Sequence, residues 1–151
     1  MTSATPRPLD GRSPSIPDGN HSGILIVDDD PTFRAELRSL LEAQGYQLFE
    51  ASTGDEALDV LCDQAIQVLV TDLTMPGLNG FELLRMLKGR PSHTGAVLVA
   101  VTAKYAIDIP LKDVLSSLGA HIVVAKSDMV ALVTAIRGTR PTVGVRVVPA
   151  S

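Results

Sequence analysis

Gln67 to Gly80 reads QVLVTDLTMPGLNG, and the pattern of this stretch recurs along the chain. Gln67 to Thr71 is a short β-branched apolar run, the pattern of a strand covered on both faces. Met75 to Gly80 is broken by a proline and two glycines and reads as a turn. Phe81, Leu84 and Leu87 or Lys88 then follow at helical spacing. The unit is strand, turn and helix, with an acid, Asp72, where the strand ends.

The same alternation repeats on either side. Upstream, Gly23 to Val27 (GILIV) is another doubly covered strand. Asp30 caps a helix with Pro31 in its first turn, where a missing N–H loses nothing. Phe33, Leu37, Leu40 and Leu41 form its apolar stripe and Gly45 ends it. Tyr46 to Ala51 is a weaker strand, and Ser52 or Thr53 caps a helix carrying Ala57, Leu58 and Leu61. Downstream, Ala96 to Val101 is a fourth strand. After an irregular stretch Pro110 opens a short helix through Leu118, and Gly119 closes it. His121 to Ala125 is the fifth strand, and Ser127 caps a last helix with Met129, Leu132, Val133 and Ile136 inward.

Strictly alternating strands and helices imply a parallel sheet sandwiched between helices. Crossovers are right-handed, so every strand's C-terminal end points to one edge, and a crevice opens there where the strand order reverses. Asp28 and Asp29 follow the first strand and Asp72 the third, and in a five-stranded doubly wound sheet those strands are central neighbours. Three close carboxylates repel unless a proton or cation sits among them. Mg²⁺ suits such a site, taking one or two carboxylates with waters and phosphate oxygens. Capping needs only Asp30, which leaves Asp28 and Asp29 for this role. Thr102 ends the fourth strand and Lys126 the fifth, adding a hydroxyl and an ammonium at the same edge. A carboxylate, a metal, a hydroxyl and a cation around one point suit phosphoryl transfer, whose equatorial oxygens must be neutralised. Acyl-transfer machinery is not apparent, because no motif pairs His21, His93 or His121 with a serine or cysteine.

Bulk properties agree with one domain. The 151 residues are 45% hydrophobic and 20% charged, ordinary for a globular chain. A net charge of −4 argues against a general nucleic-acid surface. The single cysteine, Cys62, fits a reduced, cytoplasmic setting, and no apolar run reaches the ~20 residues that span a bilayer. Residues 1–22, rich in Pro, Ser, Gly and Asp, are expected to be a flexible tail. Residues 139–151 form a C-terminal tail in which Val145, Val147 and Val148 either dock as a strand or stay loose.

ILIVDDDP, VLVTDLTMPGLNGFELL, VLVAVTA and the position of Lys126, seven residues after Gly119, together resemble the receiver domain of two-component response regulators. The resemblance covers 23–138 and implies a flavodoxin-like (βα)5 fold with strand order 2-1-3-4-5 and no output domain. It implies that Asp72 accepts a phosphoryl group from a sensor histidine kinase or phosphotransfer protein. Asp28, Asp29, Asp72 and the backbone carbonyl of Thr74 would hold Mg²⁺. Thr102 would be the switch hydroxyl, and Lys126 the lysine that pairs with a phosphoryl oxygen. Thr74 and Lys104, two residues after acceptor and hydroxyl, would tune the phosphoryl lifetime. Such a protein catalyses only its own modification and is not an enzyme in the turnover sense. Its output would be contact with a downstream protein through the Pro110–Leu118 helix, the fifth strand and the last helix, without nucleic acid or membrane, and homodimerisation through that face is open.

The chain departs from the family in three places. Ser127 replaces the usual cis-proline after the lysine, Val123 replaces an aromatic, and the Thr102–Gly119 segment is about two residues longer than the family's usual spacing. A cis bond without proline costs about 3 kcal/mol, so that turn is strained or rebuilt. Two other readings remain. One is a receiver-shaped interaction protein whose output ignores phosphorylation. The other is a haloacid-dehalogenase-type phosphohydrolase, suggested by Asp72-Leu73-Thr74 but lacking that class's further acids and cap.

Overall fold

A computed structural model describes residues 23–88, 97–103, 107–138 and the backbone of 146–147. The N-terminal tail, Lys104, and Ala96 at the expected start of the fourth strand lie outside the described residues. The elements are β1 (Gly23–Val27), α1 (Pro31–Glu42), β2 (Leu48–Ala51), α2 (Gly54–Asp63), β3 (Ile66–Asp72), α3 (Gly80–Lys88), β4 (Val97–Thr102), α4 (Ile109–Ser117), β5 (Ile122–Ala125), α5 (Met129–Arg137) and β6 (Arg146–Val147).

All strand pairs are parallel, in the order β2-β1-β3-β4-β5-β6. The expected 2-1-3-4-5 order holds, and β6 extends it by pairing Arg146 with Ile122 and Val147 with Val123. A sheet expected to have five strands therefore has six, because part of the C-terminal tail docks on the edge of β5.

Alternate residues of β1, β3, β4 and β5 feed two cores. Ile24, Ile26, Val68, Val70, Val99 and Val124 pack with Phe33, Leu37 and Leu41 of α1 and Leu132 and Ile136 of α5. Leu25, Val27, Leu69, Ala100 and Val123 pack with Ala57 and Leu61 of α2, Leu83, Leu84 and Leu87 of α3, and Leu115 of α4. Apolar burial on both faces explains why the strands read as unbroken apolar runs.

Several helix details differ from expectation. Leu40 is 43% exposed, because the buried stripe of α1 follows the i, i+4 row Phe33–Leu37–Leu41. In α3 it is Leu83 that joins Leu84 and Leu87 inside, with Phe81 half-buried and Lys88 exposed. Thr53 caps α2, accepting from Glu56 N–H. Asp108 caps α4 one residue earlier than Pro110 suggested. Asp128, not Ser127, caps α5: its N–H donates to Ala125 O at 3.0 Å, closing the turn after β5 and leaving its carboxylate to accept from Ala131 N–H at 2.9 Å.

His121 extends the β4–β5 ladder with a side chain. Its N–H donates to Leu98 O at 2.8 Å, while its Nδ1 accepts from Leu98 N–H at 3.0 Å. Burial lowers its pKa from the ordinary value of 6.5, since a half-buried imidazole resists charging. Above that value neither folded nor unfolded chain carries the proton. Below it the unfolded chain binds one first, so stability falls with pH until the folded value is passed. His121→Asn should therefore show a shallower loss of stability between pH 7 and pH 5 in urea titrations. Parallel curves would show that His121 does not titrate differently on folding.

Candidate functional site at the C-terminal edge of the sheet

The strand register brings the expected residues to one place. Val27 pairs with Thr71, so Asp28 and Asp72 emerge side by side from β1 and β3. Thr102 pairs with Ala125, and Lys126 N–H donates to Thr102 O at 2.9 Å. Asp28, Asp72 and Thr102 are buried, while Asp29 is exposed at the mouth. One carboxylate oxygen from each of Asp28, Asp29 and Asp72 lies within 4.8 Å of the others.

Lys126 crosses this cluster. Its Nζ stands 3.1 Å from Asp28 Oδ1, 2.8 Å from Asp28 Oδ2 and 3.4 Å from Asp72 Oδ2. It also lies 4.8 Å from the centroid of the Phe33 ring, a cation–π contact. Backbone amides reach two of the oxygens: Asp30 N–H donates to Asp28 Oδ1 at 2.9 Å and Thr74 N–H to Asp72 Oδ1 at 3.2 Å.

Two acids and a base share too little compensation. Burial raises the Asp28 pKa and the charge of Asp72 adds to this, against the hydrogen bonds from Lys126 and Asp30 that lower it. For Lys126 burial pulls downward, but the hydrogen bond and charge of Asp28, with Asp72 behind it, raise the pKa overall. Asp28 Oδ2 meets Lys126 only as an ion-pair contact without hydrogen-bond geometry, so this buried oxygen has no hydrogen bond among the described residues. A buried carboxylate with an oxygen lacking a hydrogen bond, one of three carboxylates whose oxygens come within 4.8 Å, is what a hard divalent cation would satisfy. The donor set fits Mg²⁺.

Glycine lets α3 come this close. A Cβ on Gly80 would stand 2.2 Å from the carbonyl oxygen of Asp72, so only glycine fits against the end of β3. Gly77 takes a positive φ of 71° in the turn. Asn79 and Glu82 then exchange side-chain to backbone hydrogen bonds at 3.0 and 2.9 Å, a capping box that starts α3.

The departures also have a physical form. Among the described residues no peptide bond is cis, so Lys126–Ser127 is trans and the turn is rebuilt around Asp128. Val123 is completely buried among the residues of the α2–α4 face, and a β-branched side chain held there is stiff about χ1. Sequence reading missed Phe33 and Arg34. Phe33 read only as core, and Arg34, whose Nη1 donates to Asp28 O, gave no signal beyond lying one turn into α1. Among the described residues no helix is long and apolar enough to cross a membrane.

Comparison with known proteins follows the same lines. The profile of the family described as "Response regulator receiver domain" matches residues 24–137. Protein PilH of Pseudomonas aeruginosa is 36% identical over 81 residues, covering 54% of this chain and 67% of PilH. The aerobic respiration control protein ArcA of Escherichia coli is 42% identical over 65 residues, 43% of this chain but only 27% of ArcA. The chain thus spans well under two thirds of that relative. A CheY-like response regulator receiver domain protein from Methanospirillum hungatei superposes with a TM-score of 0.68 at 28% identity, covering 78% of this chain and 92% of that one. With a family profile running from β1 to the end of α5, this chain belongs to the response regulator receiver domains of two-component signalling.

Proposed function

We propose that 23–138 is the signalling unit and that Asp72 is its phosphoacceptor. The observation that carries this reading is the convergence of Asp28, Asp29 and Asp72 within 4.8 Å beside Lys126. The three carboxylates, with the backbone carbonyl of Thr74, would hold Mg²⁺. When bound, that ion would neutralise charge on the transferred phosphoryl oxygens.

The donor is a phosphohistidine on a sensor kinase or phosphotransfer protein. An Asp72 carboxylate oxygen bonds to phosphorus as the donor's N–P bond breaks, and the bonding pair leaves with the imidazole. Thr74 N–H holds the other side of the carboxylate and fixes the line of attack. Lys126 supplies a cation for one phosphoryl oxygen, and the Thr102 hydroxyl donates a hydrogen bond to another. Water attack on phosphorus later breaks the acyl O–P bond and returns the carboxylate, so the protein modifies and restores itself without turning over a separate substrate.

Drawing Lys126 and Thr102 toward the phosphoryl group alters the ends of β4 and β5, which shifts the population of the α4–β5–α5 face. Ile109, Val114 and Val130 are 68%, 47% and 70% exposed there, apolar side chains suited to a downstream protein. With the buried Val123 at that position, the readout would run through the strand ends rather than through an aromatic side chain there.

Acetyl phosphate with Mg²⁺ should add one phosphoryl mass to the intact protein and none when Mg²⁺ is withheld. Absence of any gain would favour a receiver whose output is independent of phosphorylation. Steady hydrolysis of an unrelated phosphate ester would point to a phosphohydrolase.

A further inference from the structure

Arg34 makes a contact that the phosphoryl chemistry does not use. Its Nη1 donates to the Asp28 carbonyl oxygen at 2.5 Å, and its Nε donates to Glu50 Oε1 on β2 at 3.0 Å. Arg38, one turn further along α1, donates to Glu50 Oε2 and to Glu42 Oε2. The guanidinium is a rigid planar fork. One prong lies on the peptide that joins Asp28 to Asp29, and the other on a carboxylate that Arg38 clamps in turn. The Arg34 side chain is only 18% exposed, so this is not a loose surface pair.

The two acids that follow β1 are not held alike. The Asp28 carboxylate is fixed by Asp30 N–H and Lys126. Among the described residues no hydrogen bond or ion pair holds the Asp29 carboxylate, yet one of its oxygens lies within 4.8 Å of those of Asp28 and Asp72. Its direction therefore depends on the backbone that carries it. We infer that Arg34 is a positioning residue for the cation site. By gripping the Asp28 carbonyl it sets the Asp28–Asp29 peptide plane and aims the Asp29 carboxylate at the shared point. Glu50 orients the fork and balances its charge, so a cation nearby is not repelled. The inference rests on the acids being a divalent-cation site.

Mg²⁺ titration of the full chain by calorimetry tests it. Arg34→Ala should weaken Mg²⁺ binding about tenfold, which is ~1.4 kcal/mol. Arg34→Lys, able to reach the carbonyl but not to bridge to Glu50, should recover part of the loss. Glu50→Gln should weaken binding by several-fold, because it leaves the guanidinium charge unbalanced. In an Asp29→Asn background Arg34→Ala should weaken binding no further, since the group it aims is gone. A mere staple between α1 and β2 would lower the melting temperature and leave Mg²⁺ affinity unchanged, or weaken it equally in both backgrounds. Either result overturns the role given to Arg34. If Arg34→Ala does not fold, Arg34→Lys and Glu50→Gln carry the same comparison. Wild-type protein that does not bind Mg²⁺ would overturn the cation-site reading itself, and with it this inference.

Discussion

Asp72→Asn is expected to abolish phosphoryl uptake while raising the melting temperature of the metal-free protein. The amide side chain offers no carboxylate to attack phosphorus. It does retain an oxygen that can accept from Thr74 N–H, a bond Asp72 makes at 3.2 Å. What disappears is repulsion: Asp72 lies with Asp28 in a pocket where their oxygens approach within 4.8 Å, and its charge adds to the burial that raises the Asp28 pKa. Two unit charges at that separation repel by about 3 kcal/mol at an effective dielectric constant of 20. By the same formula the 3.4 Å contact with Lys126 is worth about 5 kcal/mol, more than repulsion from Asp28 alone, but repulsion from Asp28 and Asp29 together slightly exceeds it and leaves a rise of a few degrees for a domain of this size. Added Mg²⁺ should stabilise wild type markedly and the variant little. Thermal melts with and without Mg²⁺ check both halves, and a metal-free variant several degrees less stable than wild type would contradict the repulsion argument. A residue that acts by sitting where charge is unwelcome is a common exchange of stability for function.

Lys126→Met should show the largest loss of stability, with a distinctive dependence on pH. Methionine keeps a side chain of similar length beside Phe33 but strips the Asp28 carboxylate of its only ion-pair partner among the described residues. Breaking one side of a buried ion pair typically costs about 3–5 kcal/mol, and the open mouth at Asp29 places this case near the lower end. Burial already raises the Asp28 pKa, and losing the Lys126 hydrogen bond removes the largest influence holding it down. A folded carboxyl pKa raised above its ordinary 3.8 gives stability that is present below that value and lost as pH rises through the folded pKa. The raised Lys126 pKa gives wild type stability that is present below the ordinary 10.5 and lost as pH rises through the folded value. The gap between the two proteins should thus be small in acid, open as Asp28 ionises, and narrow again in strong alkali. Mg²⁺ should partly close it at neutral pH. Urea titrations across that range give the answer. A gap independent of pH would mean that packing on Phe33, not charge, is what the substitution removes.

What could be read from the chain depended on how local the cause was. Asp28, Asp72, Thr102 and Lys126 stand at strand ends whose apolar runs declare themselves, so their meeting follows once the sheet is parallel. The capping box of Asn79 and Glu82 and the close approach at Gly80 make the turn after Asp72 equally local. The cap of α5 was less legible. Ser127 and Asp128 are both competent caps, and the choice is made by the Asp128 N–H bond to Ala125 that closes the turn. β6 depends on the free edge of β5, which no local pattern in the tail encodes. Arg34 and Glu50 come together only because β1 and β2 are paired, Asp28 N–H donating to Ala51 O at 3.1 Å. Long-range polar contacts of this kind carry no periodicity to find.

Trapping the acyl phosphate identifies the acceptor residue. Protein treated with acetyl phosphate and Mg²⁺, reduced with borohydride and digested, should yield a peptide in which residue 72 has become homoserine, the alcohol left when an aspartyl phosphate is reduced. Conversion at Asp28 or Asp29, or at no aspartate in protein that has gained phosphoryl mass, would contradict the assignment of Asp72 as the acceptor.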